Sequence, residues 1–150
     1  SYGPGGWFMD DEYIGDEHAQ FVKRVVDAGG KVGVGGHGEF QGLGYHWEMW
    51  ILASGGMTPH VGLRAATITG AEAIGLAGDI DSIESGKLAD LVVLDRNPLD
   101  DIANTTAIRY VMKNGRLYDA VTLDEVWPRA VKRAPLRGAA EEVRVRAGIR

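Results

Sequence analysis

Two hydrophobic periods divide this chain. Up to about residue 77 apolar positions recur at helical spacing; beyond it they fall in short blocks of strand character. Residues 1–15 mix Gly, Pro, aromatic and acidic residues without a period and read as a loop. Asp16 then suits an N-cap, with Phe21, Val22, Val25 and Val26 on one helical face before Gly29-Gly30. Lys31 to Gly35 reads as a short strand, and Gly36 to Gly44 as a glycine-rich loop. Tyr45 to Ala53 is apolar nearly all round, which for a helix predicts burial on most sides. Thr58-Pro59 supplies a cap and a first-turn proline for one helix running on through Ile74.

From Gly78 the pattern predicts strand character around Ile80 and Ile83, then strands at Leu91 to Leu94, Ile108 to Met112 and Arg116 to Tyr118. Asn114-Gly115 is a type I′ hairpin signal, because both positions of that turn need positive φ. Asn97-Pro98 breaks the chain before an acidic connector, Asp100 to Asn104, and Leu123 to Trp127 reads as a last short helix. One helix–strand–glycine loop–helix unit followed by a run of strands is the order expected at the end of a parallel barrel with a separate small sheet. The boundaries that follow are 1–77 for the barrel part, 78–128 for the small sheet and 129–150 for a tail.

Composition narrows this picture more than it enlarges it. With 150 residues and 45% hydrophobic content, the chain is long enough to bury a core. Its formal charge of −5 excludes a dedicated nucleic-acid binder, which needs a basic face to displace counterions. The tail is a local exception: Arg129, Lys132, Arg133, Arg137, Arg144, Arg146 and Arg150 face only Glu141 and Glu142, and it reads as a solvated end. Zero cysteine removes disulfides, thiolate metal sites and thiol nucleophiles together. No apolar run approaches the length of a membrane span and no signal-peptide order opens the chain, so a soluble protein is expected, of the cytoplasm or the periplasm.

The residues able to carry chemistry gather after the Lys31 to Gly35 segment. His37 and Glu39 lie just beyond it, and Tyr45 and His46 open the next helix. Imidazole and carboxylate are the usual ligands and acid/base groups of hydrolytic metal sites, and a loop at a strand end can present them to one cavity. Against that stands the bland reading of His46 as a half-buried histidine hydrogen-bonded to its surroundings. His18 and His60 fall in first turns of helices and carry no ligand assignment, while Trp47 and Trp50 read as core. Gly33-Val34-Gly35-Gly36-His37-Gly38 fits G-x-G-x-x-G, but no acid ends a second strand about 20 residues on, as a dinucleotide site requires. Asp90, inside an apolar run, needs a partner, expected among the amides of the Glu84 to Lys87 turn.

Several phrases in order resemble the C-terminal end of amidohydrolase-superfamily enzymes of the imidazolonepropionase-like and prolidase-like branch. They are Ala53-Ser54-Gly55-Gly56-Met57-Thr58-Pro59, Arg64-Ala65-Ala66-Thr67, the stretch Ile83 to Asp95, and Val111-Met112-Lys113-Asn114-Gly115. The resemblance implies an α/β fold: the C-terminal part of a (β/α)8 metal-dependent hydrolase barrel, plus returning strands of a small β-sandwich. It also implies a divalent metal, zinc in most such enzymes, held largely by H-x-H and midway ligands that this chain lacks. Where such enzymes carry Gly-Thr-Asp after the last barrel strand, this chain reads Gly35-Gly36-His37. His37 is therefore the implied metal ligand or general base, with Glu39, Tyr45 and His46 as substrate-side groups.

The resulting expectation is part of a metal-dependent hydrolase that cleaves an amide or cyclic amide C–N bond of a small molecule with activated water. These 150 residues alone are expected to be inactive, and possession of a metal by them alone stays open. The rival reading is a non-catalytic module of the same fold that buries its apolar surface by self-association; a dinucleotide-binding domain ranks third. Neither a membrane nor nucleic acid is an expected partner.

Overall fold

The computed structural model describes residues 15–36 and 42–135. Four helices come first: α1 (Gly15–Asp27), α2 (Leu43–Ser54), α3 (Pro59–Ala65) and α4 (Ile68–Ala73). A four-stranded antiparallel sheet follows, in the order β1 (Leu91–Leu94), β2 (Ile108–Lys113), β3 (Arg116–Asp119) and β4 (Glu125–Trp127), with a 3-10 helix, Ile102–Thr106, between β1 and β2. Each strand pairs antiparallel with the next in sequence; β2–β3 and β3–β4 are joined by short turns, β1–β2 by the longer connection that carries the 3-10 helix.

The helical half is held by small residues. Leu52, Met57 and Ala65 form its buried centre, with Val22 and Val26 of α1, Val32 and Val34, and Val61 of α3 packed around them. Gly55, closing α2, lies so near α1 that a Cβ there would sit 2.3 Å from the carbonyl carbon of Ala19. Ala19 is correspondingly buried, and Ser54 Oγ adds a hydrogen bond to Asp16 Oδ1 at 3.2 Å. α1 begins at Gly15, so Asp16 sits in its first turn and serves this contact instead of the expected N-cap role.

Several expected elements take another form. Residues 31–35 contribute Val32 and Val34 to the core but belong to no strand; their backbone link is Val34 N–H to Ala65 O at 3.2 Å. A strand needs a neighbouring strand to exchange hydrogen bonds, and none lies alongside among the described residues. The single helix expected from Thr58 to Ile74 is two. Thr58 caps α3 through its hydroxyl as anticipated, yet Thr67 leaves helical geometry (φ −134°, ψ −110°) and turns its hydroxyl back to Leu63 O at 2.8 Å. α2 is less enclosed than its composition predicts: Met49 and Leu52 are buried, whereas Leu43, Tyr45, Trp47 and Ile51 are exposed. Trp50 is half-buried, so of the two tryptophans read as core only it approaches that role.

Around Ile80 and Ile83 there are turns, not strands. Lys87 gathers this segment, reaching Ala77 O at 2.6 Å, the Ser82 hydroxyl, and Glu84 Oε1 at 3.1 Å, while Leu88 N–H donates to Asp79 O. Asp90 looks the other way, away from its expected partners in the Glu84 to Lys87 turn. Its carboxylate accepts from Asn114 N–H at 2.6 Å and pairs with the Lys113 ammonium, so it clasps the β2–β3 hairpin. That hairpin has the anticipated turn, with φ of 49° at Asn114 and 75° at Gly115.

Where a helix was expected at Leu123 to Trp127, Glu125–Trp127 form β4 instead. Five residues are too few to sustain a helix without strong packing, and the Asp119 carboxylate takes the Val121 and Thr122 amides into a tight turn that aims the chain back along β3. Glu125 is 3% exposed and bound by Arg116 and Arg129, both from the more open surface. Residues just after β4 are stitched on as well: Val131 exchanges both backbone bonds with Glu125, and Lys132 pairs with Asp124 at 2.8 Å.

Candidate functional site

The site begins at Gly35 and Gly36, just after the core residues Val32 and Val34. Gly36 N–H donates to Glu48 Oε2 at 2.6 Å, and Gly35 N–H lies 3.0 Å from Oε2 and 3.1 Å from Oε1. Glu48 is the sole acid of α2 and is half-buried, so its carboxylate needs donors; two successive backbone amides provide them. Gly36 has φ +28°, and a Cβ there would lie 3.6 Å from Tyr45 Cα. Tyr45 and Glu48, three residues apart on one helix face, therefore both address Gly36, Tyr45 by contact and Glu48 by a hydrogen bond.

Of the four expected site residues, His37 and Glu39 lie outside the described residues. Tyr45 and His46 are close, with ring centroids 6.4 Å apart and planes at 88°. Their polar atoms serve different neighbours. The Tyr45 hydroxyl donates to Ala66 O, at the junction of α3 and α4. Burial, then the carboxylates of Asp81 and Glu48, push its phenol above the ordinary range and keep it protonated at neutral pH.

His46 turns toward the sheet, with Nδ1 3.0 Å from Thr105 Oγ1 on the 3-10 helix. The same hydroxyl donates to Ile102 O at 2.9 Å and accepts from Trp50 Nε1 at 3.2 Å. With the Thr105 proton given to Ile102 O, the His46 contact requires a donor at Nδ1. Burial lowers the His46 pKa below 6.5, which favours neutral imidazole. Buried Thr105 thus joins α2 to the sheet half through two side chains one turn apart.

Glu48, which holds the Gly35 and Gly36 amides, is the position that sequence reasoning left out. Its signal was available: a lone acid in an otherwise apolar helix must find donors, and amides of nearby glycines are the cheapest. No three His, Asp or Glu side chains among the described residues converge as a metal site. Glu48 is committed to amides, and His46 Nδ1 to Thr105. A separate cleft lined by Lys31, Val32, Gly33, Thr69, Glu72 and Ala73, of which Lys31 and Glu72 form an ion pair at 2.8 Å, contains none of the expected residues.

The amidohydrolase family profile matches residues 12–118, which takes in α1 to α4, β1, β2 and all but the last residue of β3. The chain belongs to the amidohydrolase family. Within this family it is 45% identical over 64 residues to the imidazolonepropionase of Shouchella clausii (strain KSM-K16), covering 41% of this chain and 14% of that protein. It is 49% identical over 41 residues to the 5-methylthioadenosine/S-adenosylhomocysteine deaminase of Teredinibacter turnerae (strain ATCC 39867 / T7901), covering 27% and 9%. The solved structure of a Xaa-Pro dipeptidase with methionine bound in its active site matches with a TM-score of 0.61 at 28% identity, over 69% of this chain and 25% of that one. This amidohydrolase chain therefore spans a quarter or less of the length of these three relatives, and its α/β arrangement is similar to part of the dipeptidase. None of its described helices is long and apolar enough to cross a membrane.

Proposed function

We propose that this chain is part of a hydrolase that cleaves a C–N bond, in an amide or cyclic amide of a small molecule, by adding water to the carbonyl carbon and releasing the nitrogen with a proton. The observation that carries the reading is the family match over residues 12–118. In this reading residues 1–77 supply the end of a (β/α)8 barrel, with 31–35 as its last strand; residues 78–128 are returning strands of a small β-sandwich, and 129–150 a basic tail. Val32 and Val34, already packed on the helices, support that role for 31–35.

His37, directly after the Gly35-Gly36 pair, takes a proton from the attacking water in this scheme or serves as a metal ligand, with Glu39, Tyr45 and His46 on the substrate side. A neutral His46 and a protonated Tyr45 suit hydrogen bonding to an uncharged amide. A divalent ion, zinc in the simplest case, belongs to the complete enzyme; among the described residues no three His, Asp or Glu side chains converge to hold one.

The test uses the protein translated from the whole reading frame that contains these residues. Hydrolysis of a Xaa-Pro dipeptide or a cyclic amide, lost by at least about 100-fold in His37→Ala, supports the scheme; full turnover in that variant removes His37 from the chemistry. A second reading, self-association of a non-catalytic module, draws on the exposed apolar side chains Ile83, Leu88, Val92, Val93 and Trp127. Light scattering of the 150-residue chain separates the two, since a monodisperse monomer counts against that module.

A further inference from the structure

The Gly35-Gly36 step is the most tightly specified piece of backbone near the expected site. Glu48 reaches it from α2 across 12 and 13 residues of sequence and accepts both amides, the shorter contact being 2.6 Å. Tyr45 closes the other approach: its backbone lies against Gly36, and its hydroxyl is tied to Ala66 O. Successive N–H groups pointing at one carboxylate form an anion-binding nest whose anion is supplied by the chain itself. Gly36, at φ +28°, has the conformation that glycine tolerates and other residues resist.

We propose that Glu48 is a positioning residue: its carboxylate fixes the Gly35-Gly36 peptide, the backbone that immediately precedes His37 in sequence. The catalytic consequence rests on the function proposed above; the clamp itself does not. Orientation of this kind acts on turnover more than on binding, because a base displaced by a fraction of an ångström still permits substrate to bind.

Two measurements test it. In the 150-residue chain, hydrogen exchange at Gly35 and Gly36 is slow in the wild type and at least about tenfold faster in Glu48→Ala, because charge-assisted bonds of this type shift an opening equilibrium by roughly that much or more. Sodium formate, which fits the space of the lost carboxylate, restores protection in Glu48→Ala. Glu48→Gln, with one carbonyl oxygen for both amides and no charge, exchanges at an intermediate rate and provides the comparison should Glu48→Ala fail to fold. In the longer enzyme, kcat falls roughly 10- to 100-fold in Glu48→Ala with KM changed less than about threefold, Glu48→Gln recovers part of the loss, and formate raises kcat of the alanine variant alone.

Unchanged exchange at Gly35 and Gly36 in a folded Glu48→Ala or Glu48→Gln overturns the clamp. Altered exchange with kcat kept within twofold overturns the positioning role. A wild-type enzyme that hydrolyses no C–N substrate overturns the proposed function instead, and the exchange experiment then still decides whether Glu48 holds the glycines.

Discussion

Substitution of Gly55 by alanine probes the helical half most sharply. Gly55 has φ −71° and ψ 0°, a conformation any residue adopts, so the backbone offers no objection. Reduced freedom of the unfolded chain would by itself favour alanine by about 0.4–1 kcal/mol. Sterics reverse the sign: the added Cβ would lie 2.3, 2.5 and 2.7 Å from the C, O and Cβ atoms of Ala19, all in the body of α1. Restoring contact distances of roughly 3.5 Å requires α1 and α2 to part by about 1 Å. Backbone cannot rotate aside as a long side chain can, so the cost belongs in the upper part of the range for overpacked sites, about 2–3 kcal/mol. Val22 and Val26 move with α1, and part of their packing on Leu52 and Met57 goes with them. Urea unfolding followed by circular dichroism measures the loss. Gly35→Ala is the control, since nothing lies within 4 Å of its would-be Cβ and its N–H remains; it should equal the wild type or exceed it by up to about 1 kcal/mol. A Gly55→Ala protein as stable as this control would refute the close crossing of α1 and α2.

Two further outcomes concern pH. Burial holds the folded-state pKa of His46 below its unfolded value near 6.5, so the unfolded chain takes up the proton first as pH falls. Stability should decline from about pH 6.5 downward and level off below the folded pKa; His46→Gln should flatten that decline in urea midpoints taken at pH 5, 6 and 7.5, and an unchanged slope would assign it elsewhere. For Asp90 the Lys113 ammonium, then the Asn114 amide, hold the carboxyl below its usual range. Its contribution is present above the unfolded pKa near 3.9 and is lost as pH falls through the lower folded value. Asp90→Asn should therefore lower stability at pH 7 and remove part of the acid-limb slope, as thermal melts between pH 2.5 and 7 would register.

How far these elements were legible depends on whether their causes are local. The Asn114-Gly115 turn and the Thr58 cap depend on neighbours within three residues, and both were read correctly. The break at Thr67 was missed because a run of small and β-branched residues is compatible with one helix or two; the choice falls on a hydroxyl that bonds backward to Leu63 O. β4 was missed because three residues carry no period. What makes it a strand is the partner edge of β3 and the ion pairs of Glu125 with Arg116 and Arg129. For Lys31 to Gly35 the apolar alternation was sound, and Val32 and Val34 do face the core; a ladder, however, belongs to two strands and is invisible in one. Asp90 was rightly judged to need a partner, but the choice between the adjacent turn and the hairpin 24 residues on turns on sheet register.

Glu48 and the glycines show where pattern reading meets its physical boundary. Gly33-Val34-Gly35-Gly36-His37-Gly38 has the spacing of a pyrophosphate-binding loop, and that spacing works because glycine exposes backbone amides to an anion. The amides of Gly35 and Gly36 do bind an anion, but it is the carboxylate of the chain's own Glu48. A phosphate at these two amides would have to displace a tethered carboxylate that needs no translational entropy to arrive, and would meet its negative charge afterwards. The glycine pattern therefore specifies an anion receptor without specifying the anion. What completes it is one acid on the next helix, at a distance in sequence that no short motif spans, and removing that acid should leave the receptor open to formate, the smallest carboxylate able to take its place.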